Sequence, residues 1–191
     1  MKKISFILLL TAVFAVIAIL INIEITKSQP QSQAKYVGVT TCLGACHKSE
    51  KQGNQLEIWK NSKHSQAFKS LQTPFADSIA NAKGFTTAAA ETPECVVCHV
   101  LGREMMPEAL EVTFDKTEGV QCESCHGPGS EYKKLSIMKD KQKSIDAGLI
   151  VHTDGENFCT NCHNSNSPTF VEFNYAEMWD KIKHPKPAGV E

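Results

Sequence analysis

The chain has 191 residues, 41% of them hydrophobic, and a formal net charge of -1 at pH 7. From residue 35 onward, 17 basic side chains face 20 acidic ones. This balance disfavours nucleic-acid binding, which depends on an excess of Lys and Arg.

The N-terminal segment, residues 1–25, predicts a transmembrane signal-anchor. Lys2 and Lys3 precede an almost uninterrupted apolar run over residues 4–25. About 20 apolar helical residues span the roughly 30 Å hydrocarbon core of a bilayer, and the two lysines predict a cytoplasmic N-terminus. We expect the rest of the chain on the periplasmic or extracytoplasmic side, anchored to the inner (cytoplasmic) membrane. A cleaved signal peptide is the alternative, although its apolar core is usually shorter.

The following residues, 26–35, are polar and include Pro30. This composition predicts a flexible linker. The remaining residues, 36–191, are predicted to form one domain, whose apolar content is low for its size once the cysteines are set aside.

Four cysteine pairs in this domain are each followed by a histidine, and together they use all eight cysteines. In chain order, haem motifs 1 to 4 are Cys42, Cys46 and His47; Cys95, Cys98 and His99; Cys122, Cys125 and His126; and Cys159, Cys162 and His163. Motifs 2 to 4 have the C-x-x-C-H spacing of covalent c-type haem sites, and motif 1 has one extra residue. Cysteines one helical turn apart can both bond the haem vinyl groups, and the histidine can then ligate iron.

Structural zinc and disulfides are the alternatives for these cysteines. Neither requires a histidine after every pair. The motifs therefore predict four covalently bound haem c groups, with iron, that supply much of the apolar core.

Secondary structure is predicted to be sparse and mainly helical. A helix is expected from Gln55 to Leu71, where apolar residues recur at near-helical spacing. Glu111 to Phe114 alternates enough for a short strand. A second helix is expected from Tyr175 to Ile182, before Pro185. The predicted fold class is mainly α with extensive loops and little β, a multihaem cytochrome c fold wrapped around four haems.

Three histidines remain outside the motifs: His64, His152 and His184. An isolated histidine is more often an ordinary polar residue, but here each of four irons has a second axial position. We therefore predict that all three are distal iron ligands. Four bis-histidine haems would need eight histidines and the chain has seven, so one haem is expected to lack a histidine of this chain on its distal side.

Two other features allow weaker predictions. Met105 and Met106 follow His99 closely and are expected to pack rather than to bind iron. A basic stretch is interpreted as a solvated helix face or as partners of haem propionates, with docking of an acidic partner as the alternative. Its members are Lys133, Lys134, Lys139, Lys141 and Lys143.

The haem motifs and their flanking residues resemble those of the cytochrome c-554 family of tetrahaem cytochromes. The resemblance lies in the spacing from Trp59 to His64, the run of residues 119–129 and the closing residues 182–185. It implies a mostly helical fold with three bis-histidine haems and one five-coordinate haem. It also implies a periplasmic carrier of electrons away from hydroxylamine-type oxidation.

The resemblance further implies that His64, His152 and His184 are the distal ligands and that motif 2 carries the five-coordinate haem. The chain departs from the family at the extra residue of motif 1. It also has residues 130–132 where the family often has a histidine. The pairing of distal ligands with haems therefore stays open.

Three functional classes follow from these features. The predicted one is an electron carrier between a redox protein donor and an acceptor. The second is an enzyme that reduces a small nitrogen oxide at an open haem, for which Tyr132 is the first proton donor to test. The third is a subunit of a haem filament or larger membrane redox complex, with a possible oligomer.

Overall fold

The computed structural model describes residues 34–153 and 155–189. The predicted signal-anchor and nearly all of the predicted linker lie outside the described residues. Ala34–Glu191 forms one compact unit. Within the described ranges, none of the helices has the length and apolar character needed to cross a membrane.

The fold consists of short helices joined by turns and loops, which confirms the predicted fold class. The α-helices are Val39–Cys42, Gln55–Lys60, Ala67–Ser70, Pro74–Ala82, Pro93–His99, Cys122–His126, Leu135–Met138, Lys141–Asp146, Glu156–Cys159 and Tyr175–Ile182. The 3-10 helices are Ala45–Lys48, Glu50–Gln52, His64–Gln66, Ala89–Glu91, Pro107–Ala109 and Lys116–Glu118. In the described ranges, the structure has no β-strand and one isolated parallel bridge, between Tyr36 and Leu110.

The helix predicted from Tyr175 to Ile182 is confirmed at both ends. The Asn174 side chain caps it by accepting from the backbone N–H of Glu177 at 3.2 Å. An ion pair between Lys181 and Glu177, 2.6 Å apart, joins successive turns of the helix. The helix ends where Lys183 takes an extended conformation.

The single helix predicted from Gln55 to Leu71 is wrong, because Asn61–Lys63 interrupts it. The Ser62 hydroxyl donates to the Trp59 carbonyl at 2.7 Å. The Ser65 hydroxyl donates to the Lys60 carbonyl at 2.9 Å. Serine hydroxyls compete in this way with the backbone N–H groups that would continue a helix, so the segment splits into Gln55–Lys60, His64–Gln66 and Ala67–Ser70.

The strand predicted from Glu111 to Phe114 is also wrong. The Phe114 N–H donates to the Glu111 carbonyl at 2.9 Å, which closes a turn. Extended pairing is limited to the neighbouring bridge, where the Glu111 N–H donates to the Tyr36 carbonyl at 2.8 Å. Four alternating residues without a partner strand were not enough to specify a sheet.

The apolar core lies around the helix of haem motif 2. Its buried members are Tyr36, Phe68, Leu71, Ala80, Ala89, Val96, Val100 and Leu101. By contrast, the helix Tyr175–Ile182 has no buried residue, and Phe170 and Val171 nearby are 41% and 77% exposed. The C-terminal part of the chain, which carries motif 4, therefore contributes little to this core.

Candidate haem-binding sites

Short helical turns present the cysteines of motifs 2 to 4. Motif 2 lies on Pro93–His99, which has a proline in its first turn, a position where the missing N–H costs nothing. Motif 3 occupies Cys122–His126, capped by reciprocal bonds between Gln121 and Ser124. In motif 4 the His163 N–H donates to the Cys159 carbonyl at 3.0 Å, so the turn continues past the end of the assigned helix.

Motif 1 is divided by its extra residue. The helix Val39–Cys42 ends at Cys42, and a 3-10 helix begins at Ala45. The link is Leu43 and Gly44, and the Gly44 carbonyl accepts from the His47 N–H at 3.1 Å. Cys42 and Cys46 therefore lie on separate short helices, whereas each other pair lies within one helical turn or its continuation.

None of the eight cysteines forms a disulfide, and sulfurs of different motifs lie near one another. Cys42 contacts Cys122, and Cys98 contacts Cys162. Cys125 interacts electrostatically with Cys159, and burial raises the pKa of Cys125 to about 11. Motif 1 therefore lies next to motif 3, motif 3 next to motif 4, and motif 4 next to motif 2.

The cysteines and histidines do not form a compact site for a bare metal ion. Within residues 34–153 and 155–189, no group of three or more His, Cys, Asp or Glu side chains is arranged to hold one. A structural zinc site needs four such ligands in a tetrahedron. The donors are instead spread along the four motifs, as covalent attachment of several planar groups requires.

Histidine rings from different parts of the chain approach each other in pairs. The ring centres of His64 and His163 are 6.1 Å apart. Those of His126 lie 6.4 Å from His152 and 5.9 Å from His184. Because each metal–nitrogen bond is about 2 Å long, two imidazoles on opposite sides of one iron have ring centres about 6 Å apart. These spacings fit bis-histidine haem ligation.

The hydrogen bonds of three histidines also fit iron binding. Nδ1 of His126 lies 2.7 Å from the Ile150 carbonyl, and Nδ1 of His184 lies 2.8 Å from the Ile182 carbonyl. Nδ1 of His99 lies 2.8 Å from the Ala67 carbonyl. A carbonyl only accepts, so each Nδ1 carries the proton and each Nε2 keeps a lone pair for a metal.

His152 has the opposite arrangement. Its Nε2 lies 2.8 Å from the Cys125 carbonyl, and its ring packs 4.6 Å from Phe158. Nδ1 is therefore the nitrogen that His152 offers in this conformation. The contact places His152 at motif 3.

The pKa values of four partly buried or exposed histidines are shifted toward the neutral form, which is the form that binds metals. Burial lowers the pKa of His47, His64, His126 and His163. For His47, His64 and His126, a neighbouring histidine adds to the effect: His184 acts on His47 and on His126, and His163 on His64. His184 is therefore near both His47 and His126.

His99 has a second polar contact and, in the described ranges, no histidine ring paired with its own. Besides the Ala67 carbonyl, its Nδ1 lies 3.2 Å from the Ser70 hydroxyl. In the described part of the chain, the close histidine pairs are built from His64, His126, His152, His163 and His184, without His99. His47 of motif 1 is also absent from these pairs, but His184 acts on it electrostatically. Within the described residues, no second histidine ring lies close to that of His99.

Tyr132 lies at motif 3, away from the histidine of motif 2. It is 6% exposed, and its hydroxyl donates to the Gly127 carbonyl at 2.6 Å. Burial raises its pKa far above the usual value. Its proton is directed at the backbone, which makes Tyr132 a poor proton donor for a substrate at motif 2.

Met105 and the basic stretch match their expected roles as packing and solvated residues, whereas the packing expected of Met106 is wrong. Met105 packs against the apolar core, and Met106 is 47% exposed. The five lysines of residues 133–143 are all exposed. Lys143 pairs with Asp140 at 3.2 Å within the same helix.

Glu123 is an important residue that the sequence did not reveal. It lies between the cysteines of motif 3 and is 1% exposed. Its carboxylate accepts from the backbone N–H groups of Val37, Gly38 and Gly129. The sequence does show an acidic residue between two haem-attachment cysteines. It does not show the hydrogen-bond donors, because two of them, Val37 and Gly38, are more than 80 residues away in the chain.

Comparison with known proteins gives two matches. The family described as Cytochrome c554 and c-prime matches residues 41–127, which contain motifs 1 to 3. The protein called Cytochrome c-554 from Nitrosomonas europaea is 32% identical over 145 residues, covering 69% of this chain. The match spans 59% of the length of that relative. No solved structure matches the chain.

Proposed function

The chain belongs to the cytochrome c-554 family, and from this premise we propose that it is a tetrahaem carrier that passes electrons between redox proteins outside the cytoplasm. Membership makes it a c-type cytochrome with covalently bound haem that acts in electron transfer with redox partners. The observation that carries the tetrahaem proposal is that cysteines of different motifs lie close enough to interact, motif 1 with 3, 3 with 4, and 4 with 2. All four Cys-Cys-His motifs take part in these interactions.

Each motif would hold its haem in the same way. The two cysteines form thioethers with the vinyl groups, and the motif histidine binds iron through Nε2. The bound haem supplies a one-electron change between ferric and ferrous iron. The carbonyls of Ala67 and Ile150 orient the imidazoles of His99 and His126 by accepting their Nδ1 protons.

The distal ligands are proposed to pair with the haems from their ring distances together with their other contacts. His64 would serve the haem of motif 4, since its ring lies 6.1 Å from that of His163. His152 would serve motif 3, because it contacts Cys125 and lies 6.4 Å from His126. His184 lies nearer to His126, at 5.9 Å, than His152 does. It would nevertheless serve motif 1, because it also acts electrostatically on His47.

The haem of motif 2 would be left without a distal histidine. This proposal is supported by the histidine count and by the absence of a paired ring at His99 in the described ranges. His47 also lacks a paired ring there, but His184 acts on it electrostatically. The observation at His99 favours a second candidate function, reduction of a small nitrogen oxide at an open haem. Steady consumption of nitric oxide by the purified protein would support this second function.

The order of the haems in space is proposed to be 1, 3, 4, 2. The support is the contact of Cys42 with Cys122, the interaction of Cys125 with Cys159, and the contact of Cys98 with Cys162. In this order the terminal haems are those of motifs 1 and 2. Electrons would enter at one of them and leave at the other.

A periplasmic location is part of the proposal. It rests on the apolar residues 4–25 behind Lys2 and Lys3, which would anchor the chain in the inner membrane. The proposed covalent attachment of haem to cysteines is consistent with a location outside the cytoplasm. Fractionation of cells that express the full chain, followed by haem staining of the membrane fraction, tests it.

The tetrahaem proposal is tested by intact mass and haem extraction. Because thioether bonds survive acid-acetone, all haem should stay on the protein, and the mass should exceed that of the apoprotein by four haems. Motif 1 is the informative site because its cysteines lie on separate helices. The matched variants Cys46→Ser and Cys98→Ser should each weaken one attachment. A wild-type mass with three haems, unchanged by Cys46→Ser, would refute attachment at motif 1.

A further inference from the structure

A buried carboxylate joins haem motifs 1 and 3. Oε1 of Glu123 accepts from the N–H of Gly129 at 2.6 Å, and Oε2 accepts from the N–H of Gly38 at 2.7 Å. The Val37 N–H reaches both oxygens, at 2.8 and 3.0 Å. Gly38 directly precedes the helix that ends at Cys42, so these bonds fix the backbone of motif 1 to the helix of motif 3.

The hydrogen bonds select the ionised form of Glu123. Both carboxylate oxygens face backbone N–H donors, which cannot accept a proton, so a carboxylic O–H would point at another donor. Burial raises the pKa of Glu123, while the three backbone donors and the positive charge of Lys133 oppose this effect. The four ion pairs in the described ranges involve other residues, so no contact ion pair cancels this charge.

The charge lies close to the attachment points of two haems. Glu123 acts electrostatically on the thiols of both Cys42 and Cys122, which contact each other. The backbone at Gly129 also lies close to the Glu123 carboxylate, since a Cβ on Gly129 would be 2.8 Å from Oε1 of Glu123. A side chain at this position would therefore press against the carboxylate oxygen that the Gly129 N–H binds.

We propose that Glu123 is a fixed buried charge that lowers the reduction potentials of the haems on motifs 1 and 3. Reduction adds one negative charge at iron, and a nearby carboxylate in a medium of low dielectric constant opposes it. The effect should be largest at motif 3, which contains Glu123. This inference rests on the tetrahaem function proposed above.

A substitution at the surface residue Lys133 can change the electrostatic field of the Glu123 carboxylate without altering the carboxylate itself. Lys133 is exposed, and its positive charge acts on both Glu123 and Cys42. Removing this charge should strengthen the field of the carboxylate at both motifs. Lys139 lies in the same basic stretch and is also exposed, and it is not among the main causes of the pKa shift of Glu123. It therefore serves as the control.

The experiment is a redox titration of the full holoprotein followed by paramagnetic NMR, which resolves the methyl signals of individual haems. In Glu123→Gln, the potentials of the haems on motifs 1 and 3 should rise, and those on motifs 2 and 4 should stay unchanged. In Lys133→Gln the first two potentials should fall. In Lys139→Gln all four should match the wild type.

The amide of Glu123→Gln would place donors against donors, so this variant can fail to assemble. In that case the potentials measured in Lys133→Gln test the inference. Four haems in the wild type with no change of potential in Lys133→Gln, or with an equal shift of all four potentials, would overturn the inference. A Glu123→Gln protein that is less stable but keeps wild-type potentials would overturn it as well. A wild-type mass below four haems would instead refute the proposed function.

Discussion

At the residue scale, the hydrogen bond of each histidine decides which nitrogen it can give to iron. Nδ1 of His99 is shared between the Ala67 carbonyl and the Ser70 hydroxyl, which fixes the ring and leaves Nε2 free. The same ring lacks a histidine partner in the described ranges, whereas His163 has His64 at 6.1 Å. Two motif histidines with equal sequence signatures therefore have different surroundings.

This difference predicts that one haem binds external ligands. Because no distal histidine faces His99 in the described ranges, the haem of motif 2 should be high-spin when ferric. After reduction it should bind carbon monoxide, while the other three should not. Electron paramagnetic resonance of the oxidised protein and carbon monoxide difference spectra measure this. A wholly low-spin protein that ignores carbon monoxide would contradict it.

The pairing of His64 with motif 4 gives a second residue-scale prediction. His64→Ala should remove the sixth ligand from the haem held by His163, because their rings are 6.1 Å apart. The variant should bind one more equivalent of carbon monoxide than the wild type and lose one low-spin signal. Lys63→Ala, at the exposed neighbouring position, is the control and should match the wild type. An unchanged stoichiometry in His64→Ala would mean that another residue ligates this iron.

At the element scale, the segment with Trp59 and His64 is held against the start of motif 3. Nε1 of Trp59 donates to the Val120 carbonyl at 2.7 Å, and the Val120 N–H donates to the His64 carbonyl at 2.9 Å. Gly119 makes this contact possible, since a Cβ there would lie 2.5 Å from the His64 carbonyl oxygen. These contacts link two features that the sequence shows only as separate motifs.

The bond from Trp59 predicts a measurable loss of stability. Trp59→Phe keeps a large aromatic ring but leaves the Val120 carbonyl without its donor. We expect the free energy of unfolding to fall by about 1–3 kcal/mol, measured by urea denaturation of the holoprotein. Trp179→Phe, which keeps the ring contact with Tyr175, is the matched control and should cost less. Equal losses in the two variants would show that ring size, and not this bond, matters.

At the scale of the whole molecule, the sequence predicted the features that depend on residues close together in the chain, and it did not predict those that depend on tertiary contacts. The helix Tyr175–Ile182 was predicted from its spacing and a following proline, whereas the break at Asn61–Lys63 depends on serine hydroxyls and on the contact with Val120. The haem motifs were evident, but the side-by-side packing of Cys42 and Cys122 requires tertiary structure. The role of Glu123 was hidden for the same reason, since its donors come from distant parts of the chain.

The charge of the domain is unevenly distributed along the chain, and this affects how partners approach. The segment around motif 2 is rich in acidic residues: Glu91, Glu94, Glu104, Glu108, Glu111, Asp115 and Glu118. Its basic residues are Arg103 and Lys116. A field of one sign attracts a partner of the opposite sign and raises the association rate.

The last prediction follows from this acidic segment. Electron transfer to a basic monohaem cytochrome should slow as salt rises, because charges are screened over about 10 Å at 0.1 M ionic strength. The double variant Glu104→Gln and Glu108→Gln, both exposed, should react more slowly at low salt and depend less on salt. Asp146→Asn, at an exposed position three residues beyond the basic stretch, should keep the wild-type rate, as stopped-flow measurements would show. If neither salt nor the double variant changes the rate, charge at motif 2 does not guide the encounter, and the tether to the membrane becomes the better explanation.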